Sequence, residues 1–76
     1  MREKLFILVA KELKVPIDKI YDELAVGSIP EWDSLAHVGL IAAVEKEFNV
    51  QFDMDDVFEI EEVIDFVDLL NEKIKS

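Results

Sequence analysis

Cysteine is absent from this chain of 76 residues, which excludes a disulfide framework and any thiolate metal or redox site. A chain without cysteine fits a reducing compartment. Glycine and proline occur only twice each, so no glycine-rich phosphate-binding loop can be built. A single histidine leaves little material for acid–base catalysis. No apolar run approaches ~18 residues, which removes a membrane-spanning helix. The apolar stretch Leu5 to Ala10 after Met1-Arg2-Glu3-Lys4 is short and has no small-residue cleavage site behind it, unlike a secretory leader. A cytoplasmic, full-length protein is the expectation. Basic residues are also in the minority, 8 against 18 acidic ones, for a net charge of −10. Nucleic acid and anionic membrane are therefore disfavoured as partners, since both require cations on the protein. A partner with a basic patch, met by electrostatic steering, is favoured. Solubility alone is the plainer explanation of the same charge.

What is present is apolar material, 51% of the residues, too much for a disordered chain. The length suits one small domain, residues 1–76, with a modest core. Arg2 to Leu13 is predicted to be a helix, because Leu5, Phe6, Val9, Ala10 and Leu13 recur with a 3.6-residue period. The run Leu5 to Ala10 taken alone also suits a buried strand; charged flanks and length favour helix, with Pro16 as the stop. Val15 to Asp33 then lacks periodicity and contains Pro16, Gly27 and Pro30. Loops beyond ~12–15 residues are uncommon in compact domains and tend to be functional. Ile17, Ile20, Tyr21, Leu24, Val26 and Ile29 give this one apolar anchors, so an ordered loop pinned to the core is expected.

A second helix is predicted over Ser34 to Phe48, with Leu35, Val38, Ile41, Ala42, Val44 and Phe48 as its apolar face. Asp33 or Ser34 serves as N-cap, and Asn49 as the stop. Asp53 to Val57 suits one short helical turn. Glu61 to Ile74 is predicted as the last helix, with Val63, Ile64, Val67, Leu70 and Ile74 inward and Glu62, Asp65, Asp68, Asn71, Glu72 and Lys75 outward. The expected fold class is all-α: a small bundle of three main helices plus one short helix, with a long loop between the first and second.

Rival chemistries fail on their own requirements. Ser34 and His37, three residues apart, could touch, but no orienting third group or oxyanion hole accompanies them. A partly exposed helical histidine is the plainer reading of His37. The acids Asp53, Asp55 and Asp56 suggest a calcium loop, yet positions six and twelve counted from Asp53 hold Phe58 and Ile64 where glycine and glutamate are needed. A helix start favoured by the dipole explains them better. Gly39 interrupts the second helix at a cost of about 1 kcal/mol relative to alanine, through either close approach of a ligand or a packing contact. Ser34 by itself is a helix cap. What distinguishes it is the long loop that leads to it, Trp32 and Asp33 before it, and the acids Glu45 and Glu47 further along the same helix.

At these residues the sequence resembles the phosphopantetheine-binding acyl carrier proteins. The matching core is Asp33-Ser34-Leu35, followed by the helix to Phe48 with Val38, Leu40 and the Glu45-Lys46-Glu47-Phe48 ending. The Val15 to Ile20 turn and the spacing from Ser34 through Phe48 and Ile60 to Val63 extend the likeness to nearly the whole chain. The resemblance implies a carrier fold and a non-enzymatic protein. It implies a 4′-phosphopantetheine arm from coenzyme A, attached to the Ser34 hydroxyl by a phosphopantetheinyl transferase with Mg²⁺. Asp33 and Leu35 flank that attachment. The arm's thiol would hold acyl or aminoacyl groups as thioesters. A phosphodiester at a helix N-terminus meets free N–H groups and a favourable dipole. The implied partners are the transferase and acyl- or aminoacyl-loading and acyl-using enzymes with basic docking patches, meeting Asp33, Val38, Glu45, Glu47, Asp55 and Asp56 on a monomer. An apolar seam near Val38, Gly39 and Ala42 is a candidate shelter for a short acyl chain.

The departures from that family pattern narrow the reading. Ala36 and Gly39 stand where fatty-acid carriers usually place acids after the serine. Glu61 replaces the usual hydroxyl cap before the last helix, and Trp32 is atypical of the housekeeping type. A specialised carrier is implied, serving polyketide, modified lipid, polysaccharide or aminoacyl chemistry. The main alternative is an acidic helical adaptor without a prosthetic group; a small hydrolase built on Ser34 and His37 is the more distant one.

Overall fold

The computed structural model describes residues 1–75. Four helices follow one another: α1, Arg2–Leu13; α2, Ser34–Phe48; α3, Met54–Glu59; and α4, Val63–Lys75. No strand occurs among the described residues. The bounds of α1 and α2 are those the periodicity gives.

Leu5, Val9, Ala10 and Leu13 form the buried stripe of α1. The helix ends on Lys14 in the left-handed conformation, φ 60°, and the Val15 N–H closes the end by donating to the Ala10 carbonyl at 3.0 Å. Pro16 then continues in extended backbone. In α4 the buried residues are Val63, Phe66, Val67, Leu69 and Leu70. Phe66 and Leu69 widen the apolar face beyond the expected set, and Ile74, expected inward, is half exposed. Asp65, expected to face water, caps its own helix: its carboxylate accepts from the Glu61 and Glu62 N–H groups, both at 2.9 Å. That carboxylate ties down the two residues leading into α4, while the first-turn N–H groups of Val63 and Ile64 donate to the Leu24 and Asp22 carbonyls of the long connection, so no hydroxyl residue is needed in front of the helix.

The long connection is ordered by backbone as much as by side chains. It holds one 3₁₀ turn, Ile17–Lys19. Ile20 and Leu24 are buried and Val26 and Ile29 partly so, but Ile17 and Tyr21 stand half exposed and do not anchor it. Its strongest anchor is Trp32, fully buried, a side chain whose size gives a large burial term. Three backbone bonds at 2.9 Å stitch the loop to the start of α4: Val26 N–H to Glu61, Val63 N–H to Leu24, and Ile64 N–H to Asp22. Gly27 turns the chain at φ 86°, so that its N–H reaches the Trp32 carbonyl at 2.7 Å. Arg2 adds an ion pair with Asp22. The loop thus delivers Trp32, Asp33 and Ser34 to a fixed place at the head of α2.

Candidate functional site

Asp33 is the N-cap of α2: its side chain accepts from the Ala36 N–H at 2.8 Å, and its carbonyl takes the His37 N–H at 2.9 Å. Ser34 is therefore not the cap. It is the first helical residue, it is exposed, and its hydroxyl is not needed to hold the helix. The N–H groups of Ser34 and Leu35 have no acceptor in the chain among the described residues, as the first donors of a helix generally do not. No acid lies in the first turn itself, and the one carboxylate at this helix end, that of Asp33, is engaged with the Ala36 N–H.

The outer face beside Ser34 is apolar. Leu35 is 82% exposed and Val38 66% exposed; Gly39 and Ala42 continue the same exposed stripe. Three positions expected in the core of α2, Leu35, Val38 and Ala42, thus point away from it. The buried face is Leu40, Ile41 and Val44, with Ala36 and Phe48 packed against it. A side chain added at Gly39 would meet nothing within 4 Å, which rules out the packing contact considered for it.

His37 faces inward and is fully engaged. Its Nδ1 accepts from the Trp32 indole N–H at 2.9 Å, and its Nε2 lies 3.2 Å from the Ile60 carbonyl. With the indole as a donor and the carbonyl as an acceptor, the neutral ring must carry its hydrogen on Nε2. Burial pulls the histidine below its ordinary pKa, opposed by the Ile60 hydrogen bond. Both ring nitrogens have structural partners, so His37 is not poised as a base for Ser34. The sequence signal for this role was the pairing of one histidine with one tryptophan five residues earlier: an indole N–H that becomes buried needs an acceptor.

The acids expected at the docking surface divide into two groups. Asp33 and Asp55 are exposed. Glu45 is half-buried and accepts from the Phe52 N–H at 2.8 Å. Glu47 lies 3.4 Å from Lys4. Asp56 shares a capping box with Asp53 and pairs with Lys73 at 2.9 Å, whose ammonium holds its carboxyl below the usual carboxylate range. Glu45 and Glu47 also stand three or more turns from Ser34, about 16 Å and about 20 Å along the helix. The structure gathers Asp33, Leu35 and Val38 around Ser34 and leaves the other acids elsewhere. No group of acids able to hold a metal ion occurs among the described residues.

Comparison with known proteins decides the family. Residues 31–70 match the family model described as the phosphopantetheine attachment site. An acyl carrier protein of Thermosynechococcus vestitus is 33% identical over 74 residues, covering 97% of this chain and 91% of that one. The chain belongs to the acyl carrier protein family. A solved structure of a holo acyl carrier protein from Geobacter metallireducens has the same fold, with a TM-score of 0.86 at 23% identity, over 97% of this chain and 85% of that one. Membership makes the chain a carrier and not an enzyme, with a covalently attached 4′-phosphopantetheine as its cofactor. The head of α2 fits that group: a hydroxyl in the open, unclaimed N–H donors beside it, and empty space over Gly39. Like other carriers of its family it works with a phosphopantetheinyl transferase and acyl-using enzymes. No helix among the described residues is long and apolar enough to cross a membrane.

Proposed function

We infer that Ser34 is the residue bearing the 4′-phosphopantetheine arm, and that this chain is a specialised acyl or aminoacyl carrier working as a monomer in the cytoplasm. One observation carries the assignment: Ser34 is exposed at the first position of α2 while Asp33, not Ser34, caps the helix. Its hydroxyl is free to be esterified without loss of a structural bond. The arm, when bound, supplies a thiol that carries cargo as a thioester. The chain's own part is presentation. The N–H groups of Ser34 and Leu35 and the α2 dipole receive a phosphodiester anion, and the Trp32-anchored loop fixes where the attachment point stands.

Docking falls to Asp33, Leu35 and Val38 around the serine, with Asp55 as a further exposed acid. Glu45, Glu47 and Asp56 already have partners in the fold and act on an approaching enzyme through the long-range field of a −10 chain. The uncharged first turn, with Ala36 and later Gly39, supports a dedicated pathway over general fatty-acid synthesis, since acids that steer general enzymes are missing at these two positions after the attachment point.

The test is mass measurement after incubation with coenzyme A, Mg²⁺ and a broad-specificity transferase. The expected gain is about 340 Da, one arm per chain, abolished in Ser34→Ala, whose fold remains intact because Asp33 still caps α2. A gain that persists in Ser34→Ala would refute the assignment. No gain with several transferases would favour an adaptor without a prosthetic group.

A further inference from the structure

Trp32 and His37 bracket Ser34, two residues before it and three after, and they are tied to each other. The indole N–H is buried with Trp32, and its partner is His37 Nδ1 at 2.9 Å. The other ring nitrogen reaches the Ile60 carbonyl at 3.2 Å, at the end of α3. Indole and imidazole ring centres are 5.8 Å apart, and Phe66 of α4 closes the far side at 6.5 Å. One side chain therefore joins the end of the long loop, the first turn of α2 and the α3–α4 junction, and the short segment it spans contains Ser34.

We propose that His37 is a positioning residue: by linking Trp32 to Ile60 it fixes the turn that presents Ser34, and it does so only in its neutral form. The proposal rests on Ser34 being the attachment residue. The chemistry is stoichiometric in protons. Neutral imidazole with hydrogen on Nε2 accepts from the indole and donates to the carbonyl. A second proton has to go on Nδ1, where it faces the indole N–H; two donors then oppose each other and the Trp32 bond is lost.

The surroundings leave that titration to the bond itself. Toward His37 the loop presents the Trp32 indole, the α3 end the Ile60 carbonyl and α4 the Phe66 ring. Burial lowers the proton affinity and the Ile60 carbonyl raises it; no charged side chain acts on it appreciably. The acids flanking these three groups are Glu31 and Asp33 beside Trp32, Glu59 and Glu61 beside Ile60, and Asp65 beside Phe66; Asp33 is occupied by the Ala36 N–H, Asp65 by the Glu61 and Glu62 N–H groups, and Glu31, Glu59 and Glu61 are exposed.

The experiment has two arms. In the first, ¹⁵N NMR of the unmodified chain follows the His37 ring, the Trp32 indole N–H and the Ser34 amide from pH 7.5 to pH 5. The expected result is an Nε2–H tautomer at pH 7.5 and one shared midpoint below about 6.5 for all three signals. An Nδ1–H tautomer, or indole and Ser34 signals that stay still while His37 titrates, would overturn the proposal. In the second, transferase loading rates of the wild type are divided by those of His37→Gln, which keeps an acceptor and a donor but cannot titrate. That ratio is expected to fall severalfold from pH 7.5 to pH 5.5, and to stay flat for Trp32→Phe divided by the same variant. A flat wild-type ratio would overturn the proposal. Absence of loading at every pH would instead refute the Ser34 assignment and leave the NMR arm to decide the link.

Discussion

Gly39 shows how a single residue can mislead a reading of sequence and then make a clean prediction. A glycine inside a helix suggests that something needs the room, and two candidates, a ligand and a packed neighbour, arise from the sequence. Only the neighbour is removed by the structure, since the site is open. Gly39→Ala should therefore behave as an exposed helix substitution, stabilising by about 1 kcal/mol and raising the melting temperature by about 4–8 °C. Thermal denaturation of the unmodified chain checks this. A drop in melting temperature would mean that the backbone at Gly39 is under a constraint the fold does not display. The family was legible in the sequence because the residues around Ser34 match its pattern; the engagement of His37 was not, because it depends on a carbonyl 23 residues away.

The elements themselves were largely legible. The 3.6-residue period delimits α1 and α2, and left-handed Lys14 and Asn49 end them. The faces of α2 were harder. From Leu35 to Val44 apolar residues occupy nearly every position, so the pattern has no polar side to orient it. Leu35, Val38 and Ala42 turned outward because the head of α2 meets the fold through His37, Leu40, Ile41 and Val44. The Glu45 carboxylate is a second case, since its partner, the Phe52 N–H, belongs to the connection after α2. At this scale α3 depends on an ion pair. The Lys73 ammonium lowers the Asp56 pKa in the fold, so the folded chain binds the Asp56 proton less readily than the unfolded one. Its stabilisation is present above the ordinary carboxylate range near pH 4 and is lost as pH falls through the lowered folded value. Asp56→Asn should thus be less stable than the wild type at pH 7, with the gap closing under acid. Urea denaturation at pH 7 and at pH 3 measures it; a gap of equal size at both values would assign the loss to the capping box instead.

For the molecule as a whole, the partition into helices and loop does not follow the partition into soft and stiff. The long loop, unpatterned in sequence, is bonded through its backbone to the head of α4 at three points and holds two buried aliphatic side chains and Trp32. The short helix α3 buries no residue of its own, and Met54 and Phe58 on it are each 76% exposed. Local opening free energy follows buried contacts and protected hydrogen bonds more than helical dihedrals. Amide hydrogen exchange should accordingly be slow at Val26, Val63 and Ile64 and fast at Val57, whose donor bond lies within the α3 turn. Equal protection at the four amides would contradict this. An enzyme meeting this carrier would then find two surfaces of unlike compliance: an unyielding collar leading to the head of α2, and a yielding ridge at Met54 and Phe58 that can remould to each visitor in turn.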